Sequence, residues 1–303
     1  MKIGKWSDSK GKPFVGLLEG DQIIHLGDDI PGGNVLSSIL HSENPKAEVE
    51  KLRKASNKKH PLSECVALAP IDGQEVWAAG VTYLRSREAR ERESEGAAKF
   101  YDLVYKAARP EIFFKAPARR VIANKGLVRV RKDSKWSVPE PELTLCISPR
   151  GKIVGFTIGN DMSARDIEGE NPLYLPQAKI YSASCAVGPC ITLAGHLPHG
   201  EECVIRMTIH RAGVEVFQGQ TSLGMMARKL EDLADWLFRE NDFPDGVFLL
   251  TGTGTVPPDN FTLNSGDIIR IEVTGIGVLE NTVASMDGVR LLYIESVTRV
   301  EKP

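Results

Sequence analysis

The sequence lacks long apolar segments and a strong charge of either sign. Its 303 residues contain no apolar run near the roughly 18 residues of a membrane span. The polar start, MKIGKWSDSKGKPFVG, has no signal-peptide hydrophobic region. The formal net charge is −2, and no basic stripe stands out. We therefore expect a cytoplasmic protein with neither a membrane nor a nucleic acid as its main partner.

Cysteine and histidine are scarce where common catalytic mechanisms would need them. The five cysteines are an odd number without a CxxC pair, which excludes a disulfide scaffold and a zinc ribbon. None of the six histidines lies between residues 61 and 195. There is no GxSxG motif, and TGTGT at 251–255 lacks the lysine of a P-loop. A serine or cysteine triad and a nucleotide-binding loop therefore have no support.

The first 70 residues differ in composition and in expected secondary structure from the rest of the chain. Short strand-like runs separated by turn residues are followed by a polar, lysine-rich stretch with helical composition at 34–59. The composition and the expected secondary structure change near residues 70–73. We therefore expect a small N-terminal α+β domain over 1–70 and a catalytic domain over 71–303.

Strand-like runs dominate the second part of the chain. They are expected at Val76–Gly80, Glu111–Lys115, Leu127–Val130, Glu142–Ile147, Ile153–Ile158, Cys190–Leu193, Cys203–Arg211, Gly246–Thr251, Ile268–Val273 and Arg290–Ser296. Two helices interrupt them, a highly charged one at 86–107 and one at 223–240. In the second, Met226, Leu230, Leu233 and Leu237 form a stripe that predicts core packing. Because strands and helices do not alternate, we expect a β-rich α+β fold with a mixed sheet.

Carboxylates are concentrated in two segments that frame a candidate site. Glu140 and Glu142 flank Pro141 in an extended run, so their side chains project from the same face. Pro141 indicates an edge or bulged position, and Asp161 follows a strand that is expected to end near Ile158.

Such an oxygen-only set suits Mg²⁺, Mn²⁺ or Ca²⁺. In the alternative interpretation Glu140 and Glu142 are a solvated rim pair, and Asp161 and Asp166 pair with Arg165 or a neighbour.

Six motifs together resemble the fumarylacetoacetate hydrolase family over roughly residues 75–285. They are GVTYLRSREARE (80–91), RPEIFFK (109–115), VPEPEL (138–143), GFTIGNDMSARD (155–166), Lys179 before the GP of 188–189, and TGTGT (251–255). The resemblance implies a mixed β-sandwich roll with a smaller N-terminal domain, assembled as a homodimer or homotetramer. It also implies that Glu140, Glu142 and Asp161 hold Mg²⁺, or in some members Mn²⁺ or Ca²⁺.

A longer run narrows the resemblance within that family. GENPLYLPQAKIYSASCAVGP (169–189), with RPEIFFK and WSVPEPEL, is similar to the 2-keto-3-deoxy-pentonate dehydratase branch. The resemblance implies a small-molecule 2-keto sugar acid as substrate, arabinonate or xylonate in configuration, converted to 2,5-dioxopentanoate. The alternative is the C–C hydrolysis of acylpyruvates or 2,4-diketo acids. The family's hydrolases generally carry a histidine–glutamate pair near the lid helix, and no histidine occurs there in this sequence.

The dehydratase hypothesis assigns roles to further residues. Lys179 is the candidate proton acceptor at C3, since a neighbouring divalent cation should lower the pKa of a lysine, and Glu111 is the candidate acid at C4. The two could exchange roles, Lys179 could only clamp the substrate carboxylate, and Glu111 could only support the metal ligands. Thr253 resembles the family's position for holding the substrate carboxylate. Tyr83 and Arg85 are expected to meet the distal hydroxyls, unless Arg85 only pairs with Glu88.

Two further alternatives stay open at this point. One is decarboxylation or keto–enol tautomerisation of a 2-keto acid, which needs only the shared metal-enolate chemistry. The other is a sugar-acid binding module without activity, which the acidic triad and Lys179 disfavour.

Overall fold

Short extended segments joined by turns build this molecule. The computed structural model describes residues 1–30, 35–83 and 103–285. Within these ranges the strands are β1 Lys2–Ser7, β2 Pro13–Glu19, β3 Gln22–Asp28, β4 Lys59–Pro61, β5 Val66–Leu68, β6 Glu75–Gly80, β7 Glu111–Pro117, β8 Val121–Ile122, β9 Leu127–Arg129, β10 Ser137–Val138, β11 Pro141–Ile147, β12 Ile153–Asp161, β13 Ser163–Ala164, β14 Cys185–Leu193, β15 Val204–Arg211, β16 Val214–Ser222, β17 Val247–Leu250, β18 Ile268–Val273 and β19 Gly277–Ala284. The helices are α1 Val35–His41, α2 Pro45–Ala55, α3 Arg165–Glu170, α4 Leu175–Lys179 and α5 Leu230–Leu237.

Two large sheets contain most of these strands. The larger has twelve strands in the order β4-β3-β2-β1-β14-β12-β11-β17-β6-β7, with β5 beside β1 and β8 beside β14. The smaller has five strands in the order β16-β15-β18-β19-β9. Both sheets are mixed, because β17–β6 and β14–β8 in the first and β19–β9 in the second run parallel.

The two sheets pack face to face around one apolar core. Leu143, Leu145 and Ile158 of the larger sheet share this core with Ile205 and Ile271 of the smaller one, and all five are fully buried. Alternation along the strands produces the interface, since β18 reads exposed–buried throughout its length. The sequence-based prediction of a β-rich α+β fold with mixed sheets is confirmed.

The N-terminal residues extend the larger sheet. Strand β1 pairs antiparallel with β14, with Lys2 opposite Thr192 and Ile3 opposite Ile191. Helices α1 and α2 contribute Leu36, Ile39 and Val49 to a second core on the outer face of this sheet. The division at residue 70 stays a prediction, with one sheet and one core continuing across it.

Nine of the ten strands expected after residue 75 overlap observed strands, and the tenth, Arg290–Ser296, lies outside the described residues. Two long strands, β16 and β19, were not predicted. Both contain residues that are depleted in strands, such as Gly219 in β16 and Asn281 in β19. Their pairing with β15 and β18 imposes the extended conformation.

The helix predicted at 223–240 is shorter than expected. Helix α5 begins only at Leu230, so the expected stripe is reduced to Leu233 and Leu237, which are buried, and the partly buried Leu230, while Met226 lies outside the helix. Leu223–Met225 form a short 3₁₀ helix that ends before Met226. The chain then pairs with another segment: Met226 forms a bridge with Tyr83, and the amide of Ala227 donates to Thr82 O over 2.8 Å. Of the helix predicted at 86–107, residues 103–106 are helical and 86–102 lie outside the described part.

Two local predictions around the acidic residues were wrong. Pro141 is not at a sheet edge but begins β11, a central strand between β12 and β17. It is tolerated because β17 pairs with β11 only from Thr144 onward. Strand β12 does not end near Ile158; it continues to Asp161, since residues 159–161 pair with β14.

The five cysteines are all free, as their number and spacing predict. Among the described residues, no helix has both the length and the apolar character to cross a membrane.

Candidate active site

Two neighbouring central strands bring three carboxylates together. Glu142 lies in β11 opposite Gly159 of β12, and the amide of Asp161 donates to Glu140 O over 3.0 Å. The side chains of Glu140, Glu142 and Asp161 each place a ligand oxygen within 4.8 Å of the others. The predicted cluster therefore exists, and strand register creates it.

The first part of the alternative interpretation, a solvated rim pair, is wrong, whereas Asp161 does form ion pairs, with Lys115 and Lys179. Glu140 is 4% exposed and Glu142 is 1% exposed, so they are not a solvated rim pair. Arg165 pairs with Glu140, Nη2 to Oε1, over 2.7 Å. Asp166 points elsewhere and accepts hydrogen bonds from Ser134 Oγ and the amide of Lys135.

Lys179 is the last residue of α4, and its side chain enters the cluster. Its buried Nζ donates to Glu140 Oε2 over 2.8 Å, to Asp161 Oδ2 over 3.0 Å and to Ser163 Oγ over 2.6 Å. The structure thus joins the predicted lysine to the predicted metal ligands from a separate element.

A second buried lysine was missed in the sequence. Lys115 forms an ion pair with Asp161 Oδ1, and its Nζ also donates to Met162 O over 3.1 Å and to Lys179 O over 2.5 Å. Its side chain is 0% exposed. The sequence contained a signal for this lysine. Side chains repeat every two residues in a strand, so Lys115 shares one face of β7 with Glu111 and Phe113, which line the cavity.

The loop after β17 closes the site beside Glu142. The amide of Gly252 donates to Glu142 Oε2 over 2.6 Å, with Gly252 at φ +91°. A Cβ there would collide with Thr82 Oγ1, so the close approach requires glycine. Thr253 lines the cavity, while its hydroxyl donates to Thr255 O over 2.9 Å within the loop.

These residues surround one cavity, which lies where β6 and β12 end and β11 begins. Its lining comprises Ala79, Gly80, Val81, Glu111, Phe113, Glu140, Glu142, Asp161, Arg165, Glu168, Lys179, Gly252 and Thr253. Glu111 stands opposite Gly80 in the sheet, and a Cβ on Gly80 would collide with its carboxylate. Glu168, only 2% exposed, and Arg165 are lining residues that the sequence analysis did not select as site residues.

The two residues predicted to meet the distal hydroxyls are not placed at the cavity by the described part of the chain. Tyr83 is 1% exposed and packs against Gly254 behind the loop, outside the set of lining residues. Burial, and then the Glu142 carboxylate, raise the pKa of its phenol. Arg85 lies outside the described residues.

The charge of the cavity is suited to a divalent cation. Five carboxylates line it in the described part of the chain, whereas Arg165, Lys179 and Lys115 are the cations that contact the cluster. If these five carboxylates and three cations are all ionised, their formal charges sum to −2. Burial, followed by the charges of Asp161 and Glu140, raises the pKa of Glu142 well above its usual range. The hard oxygen donors and this unrelieved repulsion fit Mg²⁺, Mn²⁺ or Ca²⁺.

The part of the chain that contains this site matches a known protein family. The family model described as "Fumarylacetoacetate (FAA) hydrolase C-terminal" matches residues 75–284. The chain belongs to the fumarylacetoacetate hydrolase family. Every residue of the carboxylate cluster, and both buried lysines, fall inside the matched range.

Within the family, the chain is similar to two sugar-acid dehydratases. It is 45% identical over 220 residues to a protein of Haloferax volcanii named as a probable 2-keto-3-deoxyxylonate dehydratase, covering 73% of this chain and 75% of that one. It is 37% identical over 270 residues to the 2-dehydro-3-deoxy-D-arabinonate dehydratase of Saccharolobus solfataricus, covering 87% and 89%.

A solved structure shares the whole fold. It is a 2-keto-3-deoxy-D-arabinonate dehydratase complexed with magnesium and 2,5-dioxopentanoate, at 35% identity and a TM-score of 0.78. The match covers 94% of this chain and 99% of that chain, so the N-terminal residues are included in the similarity.

The raised pKa of Glu142 predicts that Mg²⁺ stabilises the protein more at pH 8 than at pH 5.5. In the metal-free protein, ionising this buried acid costs stability as the pH rises above its ordinary pKa, and a cation that binds the ionised form competes with the proton. At a hundredfold excess over its Kd, Mg²⁺ should add about 2.7 kcal/mol, or roughly 5 °C in Tm. Thermal melts with Mg²⁺ or chelator at both pH values measure this.

The matched variant is Glu142→Gln, which keeps the size of the side chain and removes its charge. It should melt as a folded protein and lose the Mg²⁺ shift. An equal shift in this variant, or no dependence on pH in the wild type, would contradict the assignment of Glu142 as a ligand.

Lys115 predicts a second stability effect. Lys115→Met leaves the buried Asp161 carboxylate without one of its two lysines, which should cost about 3–5 kcal/mol in unfolding free energy. Lys125→Met is the control, since Lys125 pairs with Glu280 at the surface and its loss should cost below about 1 kcal/mol. Urea denaturation of both variants in chelator tests this, and similar costs would be the unexpected result.

Proposed function

We propose that this protein is a hydro-lyase that uses Mg²⁺ to dehydrate a 2-keto-3-deoxy-pentonate, arabinonate or xylonate, to 2,5-dioxopentanoate. The observation that carries the proposal is the buried carboxylate cluster in contact with Lys179. It is supported by the chain's similarity to dehydratases that are named for these two substrates.

Glu140, Glu142 and Asp161 would hold the metal ion. When bound, Mg²⁺ acts as a Lewis acid that polarises the substrate's C2 carbonyl, which acidifies the protons on C3. The amide of Gly252 keeps Glu142 oriented toward the cluster, and Arg165 does the same for Glu140.

Lys179 is the proposed base that removes the C3 proton. This role is supported by its position in the cavity lining and by the contacts of its Nζ with two of the three proposed ligands. As the free amine it takes the proton from C3, and the electron pair of the C3–H bond moves into an enolate of C2 and C3, which forms the C3–C4 double bond when the C4 hydroxyl leaves.

Glu111 faces the same cavity from β7 and is the proposed acid. Its proton goes to the C4 hydroxyl, which then leaves as water. The resulting hydroxy-enone loses a proton from C5 and gains one at C3, which gives the C4–C5 enol. This enol then loses its hydroxyl proton and gains a proton at C4, which yields the 5-aldehyde. Thr253 would bind the substrate carboxylate, and Tyr83 and Arg85 stay candidates for contacts with the distal hydroxyls.

We further propose a cytoplasmic homodimer or homotetramer. The five free cysteines suit a reducing compartment. The family resemblance supports the assembly, which analytical ultracentrifugation would measure.

Product analysis tests the proposed reaction directly. Purified protein with Mg²⁺ and racemic 2-keto-3-deoxy-pentonate should form 2,5-dioxopentanoate, and chelator should abolish it. Acetylpyruvate in a parallel reaction tests the hydrolase alternative. Pyruvate release there, without any dehydration, would refute the proposal, and a mass-spectrometric assay distinguishes the two products.

Hydrogen exchange in D₂O separates the roles of Lys179 and Glu111. Glu111→Gln should stop dehydration yet still exchange the C3 protons of the substrate, because deprotonation at C3 precedes loss of the hydroxyl. Lys179→Met should lose both activities. The opposite pattern would mean that Glu111 is the base, and ¹H NMR of the substrate follows the exchange.

A further inference from the structure

Ser163 lies between the cluster and Lys179 but does not belong to the cavity lining. It is the first residue of the two-residue strand β13 and lies opposite Val138 of β10. Its exposed fraction is 0%. Its hydroxyl oxygen is 3.0 Å from Asp161 O and 2.6 Å from Lys179 Nζ. It is therefore a buried polar side chain in contact with the proposed base.

The direction of these two hydrogen bonds is fixed. A serine hydroxyl has one proton, and the carbonyl oxygen of Asp161 can only accept, so Ser163 Oγ donates there. The lysine ammonium can only donate, so the remaining lone pairs of Ser163 Oγ accept from Lys179. Because its one proton goes to the main-chain oxygen of Asp161, Ser163 Oγ can only accept from the Lys179 ammonium.

Three acceptors of Lys179 in the described part of the chain differ in the other roles they have. Two belong to Glu140 and Asp161, whose oxygens a bound cation would share. The third, Ser163 Oγ, is neutral and lies outside the carboxylate cluster. A free amine has two N–H groups and one lone pair, so an acceptor that stays in place restricts where the lone pair can point.

We propose that Ser163 is a positioning residue that holds one N–H of Lys179 and thereby directs the amine's lone pair into the cavity during dehydration. The inference rests on the proposed function, since it assigns Lys179 as the base. It adds a residue that acts only through Lys179.

Ser184 provides a matched control. It is also a buried serine bonded to the same lysine, but its hydroxyl donates to the main-chain oxygen of Lys179 over 2.8 Å. Ser184→Ala removes support for the end of α4, whereas Ser163→Ala removes the contact with the amine itself.

Steady-state kinetics give the first test. Ser163→Ala should lower kcat about tenfold with KM within about twofold, because a misdirected base impairs the proton transfer and leaves substrate binding intact. Ser184→Ala should stay within about twofold in both constants. Ser163→Cys, which keeps the volume with a weaker acceptor, should follow Ser163→Ala. An unchanged kcat in Ser163→Ala, or an equal loss in Ser184→Ala, would overturn the proposal.

The second test needs neither metal nor substrate. In chelator-treated protein with ¹⁵N-labelled lysine, the buried Lys179 ammonium should give a protected ¹H–¹⁵N signal, assigned by its loss in Lys179→Met. Ser163→Ala should broaden or remove this signal, Ser184→Ala should keep it, and the signal of buried Lys115 should persist in both variants. A Lys179 signal that survives unchanged in Ser163→Ala would refute the positioning role even if dehydration is demonstrated. Its loss in Ser163→Ala would support that contact even if the substrate is another acid.

Discussion

The burial of like charges is the constraint on which the rest of this structure depends. Three carboxylates, removed from water within a few ångströms of one another, repel strongly and would stay protonated without compensation. The protein supplies compensation from several directions: two lysines on Asp161, an arginine on Glu140 and a main-chain amide on Glu142. These partners still leave the pKa of Glu142 high, so a divalent cation relieves the remaining repulsion.

Such a cluster requires a stiff support, and the position of its strands provides one. Strands β11 and β12 are central in the larger sheet and have neighbours on both sides. A slip of one residue would turn the side chains of one core into the other core, on the opposite face, so the register is strongly fixed. Three cations from other elements contact the carboxylates at the ends of these two strands: Lys115 of β7, Arg165 of α3 and Lys179 of α4. The proposed metal ligands thus come from paired strands, whereas the proposed base comes from a short helix whose last carbonyl oxygen accepts from Lys115 Nζ.

Sequence reasoning found the residues with an obvious chemical signature and missed those that act through contacts. Glu140, Glu142 and Asp161 stand out because carboxylates in β-rich sequence need an explanation. Ser163 does not, because its partners are a main-chain oxygen and a lysine from a separate segment, which no pattern of side chains reveals. Lys115 shares a face of β7 with Glu111, but its partners also come from distant segments. The fold class followed from the density of strands, but β16 and β19 could not, because pairing overrides their weak local preference.

The pairing of β1 with β14 has a consequence for how the chain reaches this state. Strand β1 can join β2 as soon as both are synthesised, and β5 soon covers Lys5–Ser7 on its other edge. Lys2 and Ile3 on that edge wait for β14, with Ile3 opposite Ile191. Contacts of such high sequence separation slow folding, because a long loop must close before any pairing compensates for its entropy. During translation the first residues of β1 therefore keep an unpaired edge until more than half of the protein has left the ribosome.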